Sequence, residues 1–173
     1  DRTLVMKDQT RPKGCDLQGT MAIIVCSEKG MKQPNSVLVA VHPDTLEVLD
    51  MFQLPEPASS PHIVTMHEGR IAIYIGMNTS ARRYFWDPAA KKISADESWV
   101  IYPMAKGQTT ATAPTMMGQW VAFQLNGAGS SEAASSILVV DSKDAQRKKV
   151  VFPFGELKKG EWSFAPPKNG SDA

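Results

Sequence analysis

Short apolar runs, each bounded by turn residues, recur along the chain. Met21–Cys26 is rich in Ile and Val and too short for a helix, so it predicts a buried strand. Ser36–Val41 follows after a polar loop, and His42-Pro43-Asp44-Thr45 predicts a turn before a further, alternating strand. Strand, turn and strand form a hairpin, and the same pattern returns around Asp87-Pro88-Ala89-Ala90 and Asp141-Ser142-Lys143-Asp144.

Two further strands are predicted ahead of the second and third hairpins, with Gly69 and Gly118 in the tight turns between them. The first hairpin has one such strand at Met21–Cys26, and its other inner strand would have to come from Thr3–Lys7 or from elsewhere. The predicted strands lie near 21–26, 36–41, 62–66, 70–75, 83–87, 112–117, 120–125 and 136–141.

These units repeat at a spacing of about 50 residues. Thr65 and Thr115, each followed by Met, are 50 residues apart, and Pro114 and Pro166 are 52 apart. Four short strands at this spacing are typical of propeller blades. The sequence therefore predicts an all-β chain of four-stranded antiparallel meanders. It would comprise a leading segment 1–20, a partial blade 21–60, two blades 61–110 and 111–161, and the start of a further blade 162–173. Because closed propellers typically have about 4–8 blades, this is an incomplete propeller.

Composition and charge indicate a globular protein and predict neither a nucleic-acid partner nor a membrane span. The 173 residues are 42% hydrophobic with a formal net charge of +1, as expected for a globular domain. Lys and Arg are scattered rather than clustered, so no nucleic-acid partner is predicted. No apolar run reaches about 18 residues, so no membrane span is predicted. The start at Asp1 lacks a basic-then-apolar leader, which indicates a cytosolic protein or a mature chain trimmed of its signal.

Cys15 and Cys26 are the two cysteines, eleven positions apart. A disulfide between them would tie the leading segment to the first strand, stabilise the fold by roughly 2–3 kcal/mol and suit an extracytoplasmic protein. Two buried free thiols are the alternative. We predict the disulfide, because Cys26 ends an apolar strand while Cys15 lies in a polar Gly-Cys-Asp segment that we interpret as a loop.

Candidate ligand-binding residues are few. His62 opens an innermost strand, where a propeller side chain faces the central channel, but the equivalent positions of later blades are Pro114 and Pro166, so no metal site is predicted. The Thr-rich segment 106–115, which includes Gln108 and Thr112, could present hydroxyls to a polar ligand or be ordinary strand edge. Arg83 is the fourth candidate for the channel, and no catalytic group is identified.

Two of the predicted hairpins resemble the hairpins of a known protein family. Ser36–Val48 and Tyr84–Lys92 resemble the hairpin of quinoprotein-like and YVTN-type β-propellers, in which an apolar strand is followed by Asp-Pro, small residues and a basic strand. The resemblance covers most of residues 20–167. It implies a propeller whose relatives include dehydrogenases that use pyrroloquinoline quinone, surface proteins and partner-binding scaffolds. The tryptophan-docking motif of the quinone enzymes is missing from this sequence, so the resemblance identifies no cofactor.

Two hypotheses about function follow. The first is a non-catalytic extracytoplasmic propeller segment that binds a ligand or protein through its loops. The second is part of a propeller enzyme, a quinoprotein-like oxidoreductase or an iron-dependent oxygenase, whose active site is completed by other blades. In both, the predicted partners are the remaining blades or another chain docked at the open sheet edges, because unpaired edges and apolar blade faces are otherwise left in water.

Overall fold

The computed structural model describes residues 10–19, 21–28, 36–65, 70–102, 109–110, 113–126 and 136–151. Within these ranges the chain forms β-strands and no helix. The strands are β1 (Thr10–Gln18), β2 (Met21–Glu28), β3 (Ser36–Val41), β4 (Val48–Gln53), β5 (Ala58–Thr65), β6 (Ile71–Met77), β7 (Ala81–Asp87), β8 (Lys92–Ile101), β9 (Thr109–Thr110), β10 (Thr115–Met117), β11 (Trp120–Asn126), β12 (Ser136–Asp141) and β13 (Lys148–Val151). Since the described residues contain no helix, none of them could cross a membrane in a helical span.

The strands form three antiparallel sheets, each of which follows the order of the chain. The first sheet consists of β1–β4, the second of β5–β8 and the third of β10–β13, where the short strand β9 also pairs with β11. The predicted all-β chain of repeated four-stranded antiparallel meanders is therefore confirmed. None of the sheets closes on itself within the described residues.

The first sheet has a strand that the sequence did not reveal. Strand β1 pairs with β2 from Gln18 opposite Met21 back to Thr10 opposite Glu28, so this sheet has four strands, like the second sheet. Strand β1 has no alternating apolar pattern, and Pro12 and Gly14 flank a shift in its pairing register with β2. The alternative source of an inner strand, residues 3–7, lies outside the described residues.

The second sheet is packed between the other two, and its strand β6 is buried on both faces. Side chains alternate between the faces of a strand, so Ile73 and Ile75 pack against the core shared with the first sheet. Ala72 and Tyr74 point the other way, into the core shared with the third sheet. A strand covered on both faces is apolar at every position, which explains the unbroken apolar run of β6.

Aromatic rings fill the junction between the second and third sheets. Trp99 of β8 meets Tyr74 edge to face, with ring centroids 5.1 Å apart and planes at 71°. On its other side, Trp99 lies 6.2 Å from the ring of Phe123. All three rings are almost fully buried. Such aromatic pairs contribute roughly 0.5–1.5 kcal/mol beyond the area they bury, so Trp99 is a main support of this junction.

The outer hairpin of each sheet turns at an equivalent residue. Asp87 and Asp141 end the third strand of their sheets, and His42 directly follows it in the first sheet. A side-chain atom of each accepts the backbone N–H two residues later, at 3.3 Å for His42, 2.8 Å for Asp87 and 2.9 Å for Asp141. Leu46 and Lys91 precede the fourth strand with left-handed φ values of 58° and 51°. These side chains cap their own turns.

The inner strands of the first two sheets lie side by side. Lys13 of β1 contacts Ser60 of β5, and three residues farther on Asp16 contacts Ile63, so the two strands run in the same direction. The outermost strands, β4 and β8, contact each other less than β1 and β5 do. The two sheets therefore approach most closely at their inner strands and diverge outward.

Candidate functional site

A carboxylate and an imidazole meet where β1 and β5 lie together. Oδ2 of Asp16 accepts the backbone N–H of Ile63 at 2.7 Å and lies 3.1 Å from Nδ1 of His62. The other oxygen, Oδ1, accepts the N–H of Leu17 at 2.9 Å. The side chains of Asp16 and His62 are 30% and 34% exposed, so the pair reaches solvent. When Nδ1–H of a neutral imidazole donates to a carboxylate, Nε2 is left as an acceptor for a ligand.

Gly14 allows the two strands to approach closely enough for this contact. A Cβ at position 14 would lie 2.0 Å from Oγ and 3.1 Å from Cα of Ser60. The Ser60 hydroxyl donates to the carbonyl of Lys13 at 3.3 Å, which ties the same part of β5 to β1. Any side chain at position 14 would push β1 away from β5. The Asp16–His62 pair therefore depends on a glycine two residues before the aspartate.

Arg83 forms a second polar cluster, which is buried between the second and third sheets. Its Nε donates to Oδ2 of Asp96 at 2.7 Å, and a terminal nitrogen lies 2.6 Å from the same oxygen. The other terminal nitrogen donates to the carbonyl of Ser142 in the third sheet. The guanidinium also lies 5.0 Å from the ring of Phe85 and 5.6 Å from that of Trp99. Arg83 thus joins two sheets rather than facing an open channel.

Asp96 is held in its charged form. Burial raises the pKa of its carboxyl, but hydrogen bonds from Ser98 and Arg83, together with the charge of Arg83, outweigh burial and lower the pKa below its usual value. Oδ1 accepts the Ser98 hydroxyl at 2.6 Å and the Ser98 N–H at 3.0 Å. The side chains of Arg83 and Asp96 are each only 9% exposed, so this pair is structural and inaccessible to a large ligand.

Asp141 supports the same junction from the third sheet. Its carbonyl accepts the indole N–H of Trp99 at 3.0 Å, and Oδ2 accepts a guanidinium N–H of Arg147 at 2.9 Å. Oδ1 accepts the N–H of Lys143, and the residue is only 2% exposed. Asp141 therefore fixes a turn and a sheet junction, with both carboxylate oxygens engaged.

Glu56 lies in the linker that leads from the first sheet to the second. Its Oε2 accepts both the N–H and the hydroxyl of Thr79, at 2.6 and 2.7 Å, and its Oε1 accepts the Ser80 hydroxyl. The carbonyl of the next residue, Pro57, accepts the N–H of Asn78 at 3.0 Å. The linker is thereby bound to the turn between β6 and β7.

Of the four predicted ligand-binding residues, the structure describes His62 and Arg83. His62 lies on β5 and reaches solvent beside Asp16. Arg83 is buried in its ion pair, so it does not line a surface with His62. Gln108 and Thr112 lie outside the described residues. Among the residues that are described, no group of three or more His, Cys, Asp and Glu side chains could hold a metal ion.

The predicted disulfide between Cys15 and Cys26 is wrong, since both thiols are free. Cys15 lies on β1 rather than in a loop, opposite Ile24, whereas Cys26 is opposite Pro12. Diagonal neighbours across a strand pair are about 7–8 Å apart, which is beyond the usual Cα separation of bridged cysteines. Cys15 is exposed, while Cys26 is buried, and burial raises the pKa of its thiol.

Sequence reasoning missed Asp16, Asp96 and Glu56. Asp16 was interpreted as part of a loop, and Asp96 and Glu56 were assigned no role. Asp96 does bond to Ser98 two residues on, but its second oxygen pairs with Arg83, thirteen residues away. Glu56 and Asp16 bond to residues 23 and 47 positions away. These partners are far apart in the sequence and meet only where separate strands or turns pack together, so the sequence does not reveal them.

Comparison of the chain with protein-family models, with curated proteins and with solved structures found no match.

Proposed function

We propose that this chain is a segment of a β-propeller that serves as a non-catalytic binding scaffold. Three consecutive four-stranded meanders, with inner strands that approach and outer strands that diverge, support the propeller arrangement. The observation that carries the binding role is the Asp16–His62 pair, which reaches solvent between the two inner strands. A polar ligand or a loop of a partner protein would bind at this end, with His62 Nε2 as the contacting atom.

The other charged groups support a scaffold because they already hold the sheets together. Arg83 and Asp96 are paired in the second junction, and Asp141 is bonded to Arg147 and Lys143. Ser60, the hydroxyl two residues before His62, donates to a backbone carbonyl and is not aligned as a nucleophile. An extracytoplasmic location stays a prediction, and the two free thiols remove the disulfide as an argument for it.

The second candidate is part of a propeller enzyme, either a quinoprotein-like oxidoreductase or an iron-dependent oxygenase. The orientation of His62 by a carboxylate favours it, because histidines that bind metals or act as bases are commonly oriented in this way. Metal analysis and an absorbance spectrum of the purified protein separate the candidates. Stoichiometric iron or a quinone chromophore that is lost in His62→Ala would support the enzyme over the scaffold.

The scaffold itself is tested by NMR of the histidine imidazoles. The probes are monosaccharides, dicarboxylates, and acidic and basic hexapeptides, each titrated into the protein. We expect at least one probe class to shift the His62 resonances, and His62→Phe to abolish its binding. His42 is the matched control, because it lies in a turn of the first sheet and caps that turn. Shifts at His42 alone, or no response at His62 to any probe, would contradict the proposal.

A further inference from the structure

The three outermost strands, β4, β8 and β13, differ in the regularity of their edges. Within the described residues, each of them pairs with a strand on one side only. The pairing of β4 with β3 shifts register after Ala40, and that of β8 with β7 shifts after Arg82. The pairing of β13 with β12 is continuous over all four residues of β13, Lys148–Val151. Because bulges protect an edge from pairing with another strand, β13 is the edge best suited to accept one.

Strand β13 also carries charge of a single sign. Lys148 and Lys149 open the strand, and both residues are exposed. Arg147 precedes them and is exposed as well, and residues 147–151 contain no carboxylate. The two carboxylates of this hairpin are engaged elsewhere, since Asp141 is bonded to Arg147 and Asp144 accepts a backbone N–H of its own turn. A strand that approaches β13 therefore meets positive charge.

The side chains of β13 define what a partner strand would need. Val140 lies in the core shared with the second sheet, so Lys148 opposite it and Val150 point toward that sheet. Lys149 and Val151 point the other way, and Val151 is 37% exposed. Residues directly opposite each other in a strand pair interact, and opposite charges attract there. The complementary segment therefore has two adjacent acidic residues next to two apolar ones.

We propose that β13 is the docking edge for an acidic, extended segment of a partner protein, which adds to the third sheet as a further antiparallel strand. Backbone hydrogen bonds supply affinity in this mode of binding, and side chains supply specificity. Lysines on an edge hinder pairing with neutral or basic strands, so they favour an acidic partner. Strand β13 has little contact with β8, the outermost strand of the second sheet, which leaves room for the segment. This edge and His62 belong to different sheets, so the inference goes beyond the proposed function.

NMR titration of the 173-residue chain with capped hexapeptides tests this docking edge. The probe is Thr-Val-Val-Glu-Glu-Thr, which in antiparallel pairing places its glutamates opposite Lys149 and Lys148. We expect its largest effect on the backbone amide resonances of β13, and weaker binding as salt is raised. The neutral Thr-Val-Val-Gln-Gln-Thr should bind roughly fivefold more weakly or worse. Thr-Pro-Pro-Glu-Glu-Thr should also bind more weakly, because it keeps both charges but lacks two backbone N–H groups.

A charge reversal tests the register of the pairing. Lys149→Glu should prefer Thr-Val-Val-Lys-Glu-Thr to the original probe, because only the pair at position 149 has exchanged its signs. The variant should fold, since Lys149 is exposed. The matched control is Lys92→Glu, which makes the same change of charge at an exposed residue of another outermost strand, β8. It should leave binding of the original probe unchanged.

Several results would overturn the docking edge. They are unchanged β13 amides at millimolar probe, equal binding of the glutamine or proline peptide, or no exchange of preference in Lys149→Glu. Shifts of the β13 amides with protein concentration alone would identify a second copy of the chain as the occupant instead. A response of the His62 imidazole without one at β13 would support the proposed function and overturn this inference. His62→Phe should leave binding at β13 unchanged, which separates the two sites.

Discussion

Arg83→Ala tests whether the buried ion pair holds the second and third sheets together. The substitution removes both donors to Asp96 Oδ2 and the donor to the Ser142 carbonyl. It also removes the guanidinium from its position beside Phe85 and Trp99. The Asp96 carboxylate would remain buried with Ser98 as its only described donor.

The expected loss of unfolding free energy in Arg83→Ala follows from these contacts. Removing one partner of a buried ion pair costs about 3–5 kcal/mol. Asp96 keeps its two bonds to Ser98, so we expect the lower end, about 3 kcal/mol of unfolding free energy. A domain of ordinary stability has about 5–15 kcal/mol in total, and such a loss is a large part of it. Arg82→Ala, the neighbouring and half-buried arginine, should cost less than about 1 kcal/mol.

Urea denaturation at two pH values is the assay. Because the folded pKa of Asp96 is lowered, its contribution to stability is present above the unfolded pKa of about 3.9 and is lost as the pH falls through the folded pKa. The difference between the wild type and Arg83→Ala should therefore be largest near pH 7 and shrink below about pH 4. A loss under about 1 kcal/mol at pH 7, or a difference independent of pH, would refute the reasoning.

Three further outcomes are expected. Gly14→Ala should lower the unfolding free energy by about 2 kcal/mol, because its Cβ would lie 2.0 Å from Ser60 Oγ, and Ser60→Gly should recover part of this loss. Lys91→Gly should raise it by about 1 kcal/mol in thermal or urea unfolding, since Lys91 is exposed at φ 51°. A thiol reagent should modify Cys15 in the folded protein and Cys26 only after unfolding, and modification at equal rates would contradict the burial of Cys26.

The strands of this fold could be predicted where local chemistry determines them. Ser36–Val41 and Ser136–Asp141 begin and end as the sequence indicated, because each is an apolar run closed by a capped turn. Strand β5 begins at Ala58, four residues before the predicted start at His62, since its first part pairs with β6 across a register shift. Strand β1 was missed because Pro12 and Gly14 are compatible with a β-bulge within a strand as well as with a loop.

The candidate site could be predicted only in part. His62 was identified from its place at an inner strand, but its partner Asp16 belongs to a different sheet, and no local pattern connects the two. The cysteines were paired wrongly because spacing alone does not give register, and a shift of two residues separates Cys15 from a position opposite Cys26. Arg83 was assigned to a channel because burial cannot be inferred from a single charged residue in a strand.

The bonds of Glu56 determine how the first two sheets can move. A linker between repeated units usually acts as a hinge, in which a few residues absorb the rotation. Here the carboxylate accepts two bonds from Thr79 and one from Ser80, and Pro57 accepts a fourth from Asn78. Rotation about the linker would break this set together, so the two sheets should reorient as one rigid body. Opening at the later junction is opposed as well, because it would break the bond of Arg83 to Ser142 and that of Trp99 to Asp141.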